Sequence, residues 1–404
     1  MHPKTIELGL ARVQSVWARM GLAVPFPLIT VGGTNGKGST CAFLESMLRC
    51  AGYRVASYSS PHLLRYNERV RIQGRPVDDE TLCAAFGKVE AVRGSVPLTF
   101  FEFGTLAAMQ VFADAAVDVA VMEVGLGGRL DAVNLFEPSC AAVTHIGIDH
   151  VEYLGPTRES IGFEKAGIFR QGVAAICADD DPPATLTAHA RATGADLKLI
   201  GRDFGCGAQA GHWDYWSWRG QRKGLPWPAL RGRVQLTNAA TAMAVLDALH
   251  ERLPVDMGAV RRGLVDVELA GRFQVLPGQP VVVLDVAHNP GAAQRLVENL
   301  ADHGKFASTL AVLGMLKDKD IEGVVAQLAP VVDRWFLADL SGPRAATAQR
   351  LAQALAGAGA ERYSLHASPA EAFATAESVA QPGDRIVVSG SFYTVADVLA
   401  LLGR

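Results

Sequence analysis

Residues 27–49 constrain this chain more than any other stretch. An apolar run, PLITV at 27–31, leads into GGTNGKGST at 32–40, and the helical pattern CAFLESMLR follows at 41–49. A strand, a glycine-rich turn and a helix start in that order make a phosphate cradle. Glycines let backbone N–H groups converge on oxyanions, and the helix N-terminus adds positive potential. Thr34, Asn35 and Gly36 would line such a cradle, and Lys37 would reach the outer phosphates. Ser39 and Thr40 would stand near an accompanying metal ion. Gly38 separates the lysine from these hydroxyls, where the commoner pattern puts a hydroxyl residue directly after the lysine. A plain structural turn has no need of the lysine, both hydroxyls and these flanks together. The implied ligand is a nucleoside triphosphate, held beyond the carboxyl end of a strand.

The rest of the chain fits such a fold. Short β-rich runs at 28–32, 53–59, 118–124, 140–146 and 173–178 alternate with helical patterns such as 103–113. This alternation predicts a mostly parallel sheet with helices on both faces. Residues 204–236 break the rhythm with Trp213, Tyr215, Trp216, Trp218 and Trp227, many glycines, and basic residues within 219–223. They read either as a base-stacking or sugar-binding surface or as a small β-excursion packing its own aromatics. The rough alternation favours the second. A helix follows at 238–249. A second βα series begins near 280, with strands at 280–285, 308–313, 335–340 and 385–389. Helices are expected at 291–300, at 351–360 with its C-terminal turn, and at 395–402.

The fold class is therefore α/β. A phosphate-loop ATPase domain with a mostly parallel sheet and the small β-excursion spans 1–270, and a Rossmann-like α/β domain spans 271–404. A chain of 404 residues, nearly half of them apolar, has the material for two cores. Clefts between domains favour ligands, and these two are expected to close around one.

Bulk properties exclude several classes. A net charge of −3 gives no global attraction to nucleic acid or anionic lipid. Cysteines at 41, 50, 83, 140, 177 and 206 are scattered with no CxxC pair, which speaks against a thiolate metal site and for reduced thiols. The opening MHPKTIELGL lacks the charged start, apolar stretch and cleavage site of a leader. The most apolar window, 115–128, is broken by Asp118 and Glu123. The expectation is a cytoplasmic monomer with small-molecule partners, no nucleic acid and no membrane.

Polar clusters fall near the predicted strand ends: YSSPHL at 58–63, EVGLGGRLD at 123–131 and THIGIDH at 144–150. A fourth, EKAGI at 164–168, reads as the opening of a short turn before 173–178. Separately each has a plain explanation. Ser60-Pro61 could be a turn, 125–128 a tight connection, and His150 a core or surface histidine. Together they put a hydroxyl, a carboxylate, an imidazole and a lysine in the phosphate-loop domain. Magnesium prefers oxygen ligands and accompanies nucleotide phosphates. Ser60, Glu123 and His150 are thus a candidate set, although imidazole is an uncommon ligand for so hard an ion.

Lys165 has two readings. A buried lysine near divalent cations is pushed toward the neutral amine, which can take up carbon dioxide as a metal-binding carbamate. Spacing alone favours a surface lysine paired with Glu164 or Glu159. In the second domain Asp285 could accept hydrogen bonds from a ribose, or it could cap a helix. Arg272 could reach phosphates, or it could make an interdomain salt bridge. SGSFY at 389–393 is by itself only a turn.

The ordered set is more specific than any one motif. GTNGKGST at 33–40, YSSPHLLRYNERVRIQG at 58–74, LTFFEFGT at 98–105, EVGLGGRLDAVN at 123–134 and IGIDHVEYLG at 146–155 lie in the first domain. EKAGIF at 164–169, GRF at 271–273, DVAHNP at 285–290, GMLKDKD at 314–320 and GSFYTV at 390–395 continue it. Nearly end to end, this set resembles the folylpolyglutamate synthase family of the Mur-type ligase superfamily.

The resemblance implies an ATP-dependent amide ligase acting through an acyl phosphate. L-Glutamate would be joined to 7,8-dihydropteroate, and further glutamates to the γ-carboxyl of reduced folates. It implies ATP with two Mg²⁺ ions, held by Thr34, Asn35, Gly36, Lys37, Gly38, Ser39 and Thr40, by Ser60 and Glu123, and by His150. Lys165 falls where relatives carry a carbamylated lysine. Asn238, Arg272 and Asp285 would contact ATP. Thr99, Phe101 and Asp131 fall in the pterin pocket, and His288 and Ser391 near the incoming glutamate. The catalytic group implied is Lys37, Lys165, His150 and Arg272.

Three other readings compete: a folylpolyglutamate synthase without the dihydropteroate activity, a cell-wall amino-acid ligase, and a nucleotide-operated switch without ligase chemistry. The folate-type segments at 58–74 and 98–105 weigh against the cell-wall reading. The chain carries fewer residues ahead of 4–13 than the family pattern: either it is naturally short or its start was assigned late, and the expectation is a fold that survives with one wall of the pterin site open to change.

Overall fold

The computed structural model describes residues 7–403, so the first part of the segment at 4–13 lies outside the described residues. The chain divides into two units, Met1–Ala229 with Gln235–Glu268, and Leu230–Val234 with Leu269–Arg404.

The first unit is built on an eight-stranded sheet. Its strands are β1 (Leu28–Gly32), β2 (Val55–Tyr58), β3 (Val70–Ile72), β4 (Arg75–Pro76), β5 (Val119–Glu123), β6 (Cys140–Val143), β7 (Ala174–Cys177) and β8 (Asp196–Leu199). The order is β4-β3-β2-β5-β1-β6-β7-β8, parallel from β2 through β8. Every residue of β1, β5 and β6 is buried. Helices cover both faces of such a sheet, so central strands read as unbroken apolar runs rather than alternating ones. The loops after β1, β2, β5 and β6 therefore share one edge of the sheet.

β3 and β4 form an antiparallel hairpin beside β2 inside the segment 58–74. Gln73 and Gly74 both have positive φ, 53° and 74°, as a two-residue turn with the twist of a hairpin requires. Pro76 lies on the outermost strand, where it withholds no ladder hydrogen bond from a central position.

The break in rhythm after 203 is a separate antiparallel sheet of β9 (Phe204–Ala208), β10 (Trp213–Ser217) and β11 (Gly220–Leu225). Trp213 and Tyr215 are fully buried, so the excursion packs these two aromatics inward, while Trp218 and Trp227 stay exposed. Asp247, in the helix Val234–Ala248, fastens it. The carboxylate accepts from Tyr215 Oη at 2.8 Å, Ser217 Oγ at 2.6 Å and Arg222 Nη1 at 2.9 Å, with Arg222 Nη2 on its other oxygen. Removing one partner of a buried ion pair strands the other. Asp247→Ala is thus expected to destabilise the first unit by about 3 kcal/mol, read as a lower denaturant midpoint. An unchanged midpoint would show that the excursion is held by its aromatics alone.

The second unit carries a six-stranded sheet: β12 (Gln274–Leu276), β13 (Val281–Leu284), β14 (Thr309–Leu313), β15 (Arg334–Ala338), β16 (Tyr363–His366) and β17 (Arg385–Ser389). Its order is β12-β13-β17-β14-β15-β16, parallel except for β12. Asn289 caps the helix Pro290–Asp302 through Ala292 N, with proline in the first turn where its missing N–H costs nothing.

One expected element differs. EKAGI at 164–168 holds its turn only at Gly167 and Ile168, while Glu164 and Lys165 belong to the last turn of the helix Arg158–Ala166. Its start, Thr157 with Ser160 in a reciprocal cap, gives the segment its helical register. Among the described residues no helix is long and apolar enough to cross a membrane.

Candidate active site

The phosphate loop leaves β1 and enters the helix Lys37–Cys50. Gly33 and Gly36 have φ of 143° and 94°, which side chains with a Cβ rarely adopt. A Cβ on Gly36 would meet Asn238 Oδ1 at 2.6 Å, so Asn238 lies against the loop. The Lys37 amine donates to the carbonyl oxygens of Gly33, at 3.1 Å, and Thr34, at 3.2 Å, and so lies across the loop's own backbone. Ser39 and Thr40 are buried in the first turn, and Thr40 Oγ1 has no hydrogen-bond partner among the described residues.

Ser60 and Glu123 come together across the β2 and β5 ends. Ser60 N donates to Glu123 Oε2 at 3.2 Å, and Glu123 is 4 % exposed. Among the described residues no three His, Cys, Asp or Glu side chains form a metal cage. Magnesium is usually held by one or two carboxylates while phosphates and waters complete its shell. The buried Glu123 carboxylate with a hydroxyl-bearing neighbour fits such an ion. His150, after β6, has φ 52° and precedes the short helix Val151–Leu154. Its Nε2 is 3.9 Å from Asp149 Oδ2.

Lys165 is 3 % exposed, which overturns the surface reading. Its expected carboxylate partners are committed elsewhere. Glu164 pairs with Arg129 at 2.7 Å, and Glu159 accepts from Ala184 N and Thr185 N. Burial, helped by the Lys37 charge, pushes the Lys165 amine down to about 7 against the pull of Asp149 and Asp131. Asp131 moves the other way. Burial raises it to about 7, opposed by hydrogen bonds from Leu126 N and Val133 N and by Lys37.

Thr99 and Phe101 open the helix Phe100–Asp114. The Thr99 hydroxyl accepts from Glu102 N at 3.2 Å, and Thr99 N donates to Glu102 Oε2 at 2.7 Å, so this threonine caps the helix. Phe101's ring lies against Gly125 and tilts on Tyr58 with centroids 5.8 Å apart. An aromatic face thus borders the loop 124–131 that Asp131 holds in shape.

The remaining candidates gather on the second unit. Asp285 is no helix cap. It ties Phe273 N and Ala287 N, each at 2.8 Å, and burial raises it despite Arg272. The Arg272 guanidinium lies 5.0 Å from the Phe392 ring centre, and His288 lies 6.2 Å from it on a tilted plane. Ser391 caps the helix Phe392–Leu401 through Tyr393 N. Two contributors went unnamed in the sequence reading. Asp149 sits one residue before His150 in a motif already singled out. Phe392 sits inside GSFYTV at 390–395, and only the fold shows it between Arg272 and His288.

A phosphate loop, a buried carboxylate and a buried lysine in one α/β unit, with a second α/β unit after it, are the arrangement of a Mur-type ATP-dependent ligase. Residues 31–246 match the Mur ligase middle domain, and residues 271–392 the Mur ligase glutamate ligase domain. The chain is 46 % identical over 403 residues to the dihydrofolate synthase/folylpolyglutamate synthase of Escherichia coli, covering 100 % of this chain and 93 % of that one. It is 31 % identical to the Mycobacterium tuberculosis protein so described, covering 100 % and 92 %. Its fold matches E. coli FolC in complex with DHPP and ADP at TM-score 0.95 and 45 % identity, covering 100 % of this chain and 95 % of that one. A bifunctional folylpolyglutamate synthase/dihydrofolate synthase with Mn, AMPPNP and L-glutamate bound matches at TM-score 0.92 and 46 % identity, covering 99 % and 95 %. The chain belongs to the dihydrofolate synthase/folylpolyglutamate synthase group of the Mur ligase family.

Proposed function

We propose that the chain joins L-glutamate to 7,8-dihydropteroate, giving 7,8-dihydrofolate, and extends reduced folates through the γ-carboxyl. The observation that carries this reading is the end-to-end similarity to enzymes so described, in a chain whose strand-end groups suit the chemistry. A carboxylate is a poor electrophile. Transfer of the γ-phosphoryl group of ATP to it releases ADP and leaves an acyl phosphate. The glutamate amine then attacks the acyl carbon, the amine proton departs to solvent, and phosphate leaves as the amide forms.

Catalysis of this kind is mostly positioning and charge neutralisation. Lys37 holds the outer phosphates, with Thr34 to Gly36, Gly38, Ser39 and Thr40 shaping the cradle and Asn238 bracing it. Two Mg²⁺ ions, when bound, neutralise phosphate charge. Ser60 and Glu123 hold one, and His150 helps hold the other. Lys165 carries a carbamate, formed when its neutral amine adds to carbon dioxide and releases a proton. The support is its burial and its lowered proton affinity. Thr99, Phe101 and Asp131 shape the pterin pocket, Thr99 by fixing where Phe101 begins its helix. On the second unit Arg272 and Asp285 bind nucleotide, and His288 and Ser391 hold the incoming glutamate. Six free cysteines suit a reducing cytoplasm.

The deciding assay supplies ATP, Mg²⁺, L-glutamate and 7,8-dihydropteroate. Dihydrofolate is expected with one phosphate released per amide. Turnover of a reduced folate but not of dihydropteroate would leave only the second activity. ATP hydrolysis indifferent to glutamate and to both acceptors would overturn the ligase reading.

A further inference from the structure

Thr34 stands within the phosphate loop, yet its side chain is bonded to a neighbouring loop. Its hydroxyl donates to Gly147 O at 3.0 Å and accepts from Gly147 N at 3.1 Å. A threonine hydroxyl has a single proton to donate, and here Gly147 takes it. The neighbouring bonds continue the seam. Thr34 N donates to His145 O at 2.7 Å, and Asn35 bridges His145 in antiparallel fashion. Thr144 Oγ1 donates to Asn35 O at 2.7 Å and lies 3.2 Å from Gly32 O. Residues 32–35 and 144–147 are thus joined side by side, and Gly147 is three residues before His150.

The far side of the same segment is rigid. Ile146 N donates to Asp179 Oδ2 at 2.7 Å, and Arg158 bridges Ile146 O, at 3.0 Å, to Asp179 Oδ1, at 2.7 Å. Asp179 is 2 % exposed. With that side tied, the Thr34 bonds to Gly147 fasten the opposite side of the segment, three residues before His150.

We propose that Thr34 is a positioning residue. Its hydroxyl clamps Gly147, so that the phosphate loop sets the place of the Asp149–His150 segment, and it contributes nothing to phosphate binding through its side chain. The proposal rests on the phosphate loop binding nucleotide, but it does not depend on which acceptor is ligated.

Thr34→Val removes both hydroxyl bonds with little change of shape, and Thr34→Ser keeps them. Amide hydrogen exchange with and without ADP, in the absence of metal, reads the clamp directly. In the parent chain, ADP is expected to slow exchange in both 34–41 and 145–150. In Thr34→Val it is expected to slow 34–41 alone, with ADP affinity within about twofold of the parent, because the backbone cradle remains. Ligase kcat is expected to fall about 10- to 100-fold with KM for ATP little changed, since a misplacement of about 1 Å has effects of that size. Thr34→Ser is expected to restore both the exchange pattern and kcat. Loss of ADP affinity together with protection at 34–41 in Thr34→Val would make the hydroxyl a phosphate ligand and overturn the proposal. So would unchanged exchange at 145–150, or a Thr34→Ser variant no better than Thr34→Val. Failure of dihydropteroate or folate turnover in the parent chain, with the exchange pattern intact, would instead count against the substrate assignment.

Discussion

Lys37→Ala is expected to lower ligation by about 10²- to 10³-fold or more in kcat, the usual consequence of removing one preorganised cationic or hydrogen-bonding group from a charged transition state. The fold should survive. Among the described residues the amine bonds only to the Gly33 and Thr34 carbonyls of its own loop, so its loss is expected to change stability by about 1 kcal/mol. Phosphate release and amide formation should fall together, because both follow from γ-phosphoryl transfer. A stably folded Lys37→Ala variant with parent-like turnover would remove the phosphate-loop assignment, and the rest of the mechanism with it.

Lys165→Met is expected to move stability and activity in opposite directions. Holding this amine at about 7 instead of its ordinary 10.5 disfavours folding by on the order of 4 kcal/mol at neutral pH, because the unfolded chain keeps the proton that burial makes costly. The sign follows from the depressed value. The penalty is full below about pH 7, where the folded chain must bury the charge. It is lost as pH rises toward 10.5, where the unfolded lysine also gives up its proton. A methionine of similar volume escapes it. Lys165→Met should therefore unfold at higher denaturant in carbon-dioxide-free buffer at pH 6–7, with the gain shrinking by pH 10. Ligation should nevertheless be lost, since no carbamate can form. With ¹³C-labelled bicarbonate the parent chain should show a carbamate carbon resonance that the variant lacks. A variant that ligates normally would leave Lys165 a purely structural lysine, and a variant less stable at pH 6 would contradict the burial argument.

Much of the fold was legible because its signals are local. The apolar runs of β1, β5 and β6 are buried on both faces, so little interrupts their sequence beyond Thr30 in β1 and Glu123 at the end of β5. The elements that escaped depend on neighbours. The β3–β4 hairpin is three residues against two, with a proline, and only its position beside β2 makes it a sheet edge. The helix holding Glu164 and Lys165 was hidden because its lysine packs inward where spacing suggested a charged surface face.

For the site the division is similar. Chemistry-bearing residue types are written in the chain, and Lys37, Glu123, His150 and Lys165 can each be picked out with a reason. Their states cannot. Whether Lys165 carries a proton depends on how much water its surroundings exclude and on Lys37, which lies 128 positions earlier in the chain. Thr34 illustrates the limit best. Its place in GGTNGKGST at 32–40 suggests phosphate, while the Gly147 bonds give its hydroxyl a different task.

By itself, then, the sequence determined the class of fold, the phosphate loop and the inventory of reactive groups, because these rest on periodicity and on residue chemistry within short windows. The tertiary structure alone decided burial, proton affinity and hydrogen-bond commitment. Those depend on which groups from distant positions share one poorly hydrated edge of the sheet, and local pattern carries no record of that.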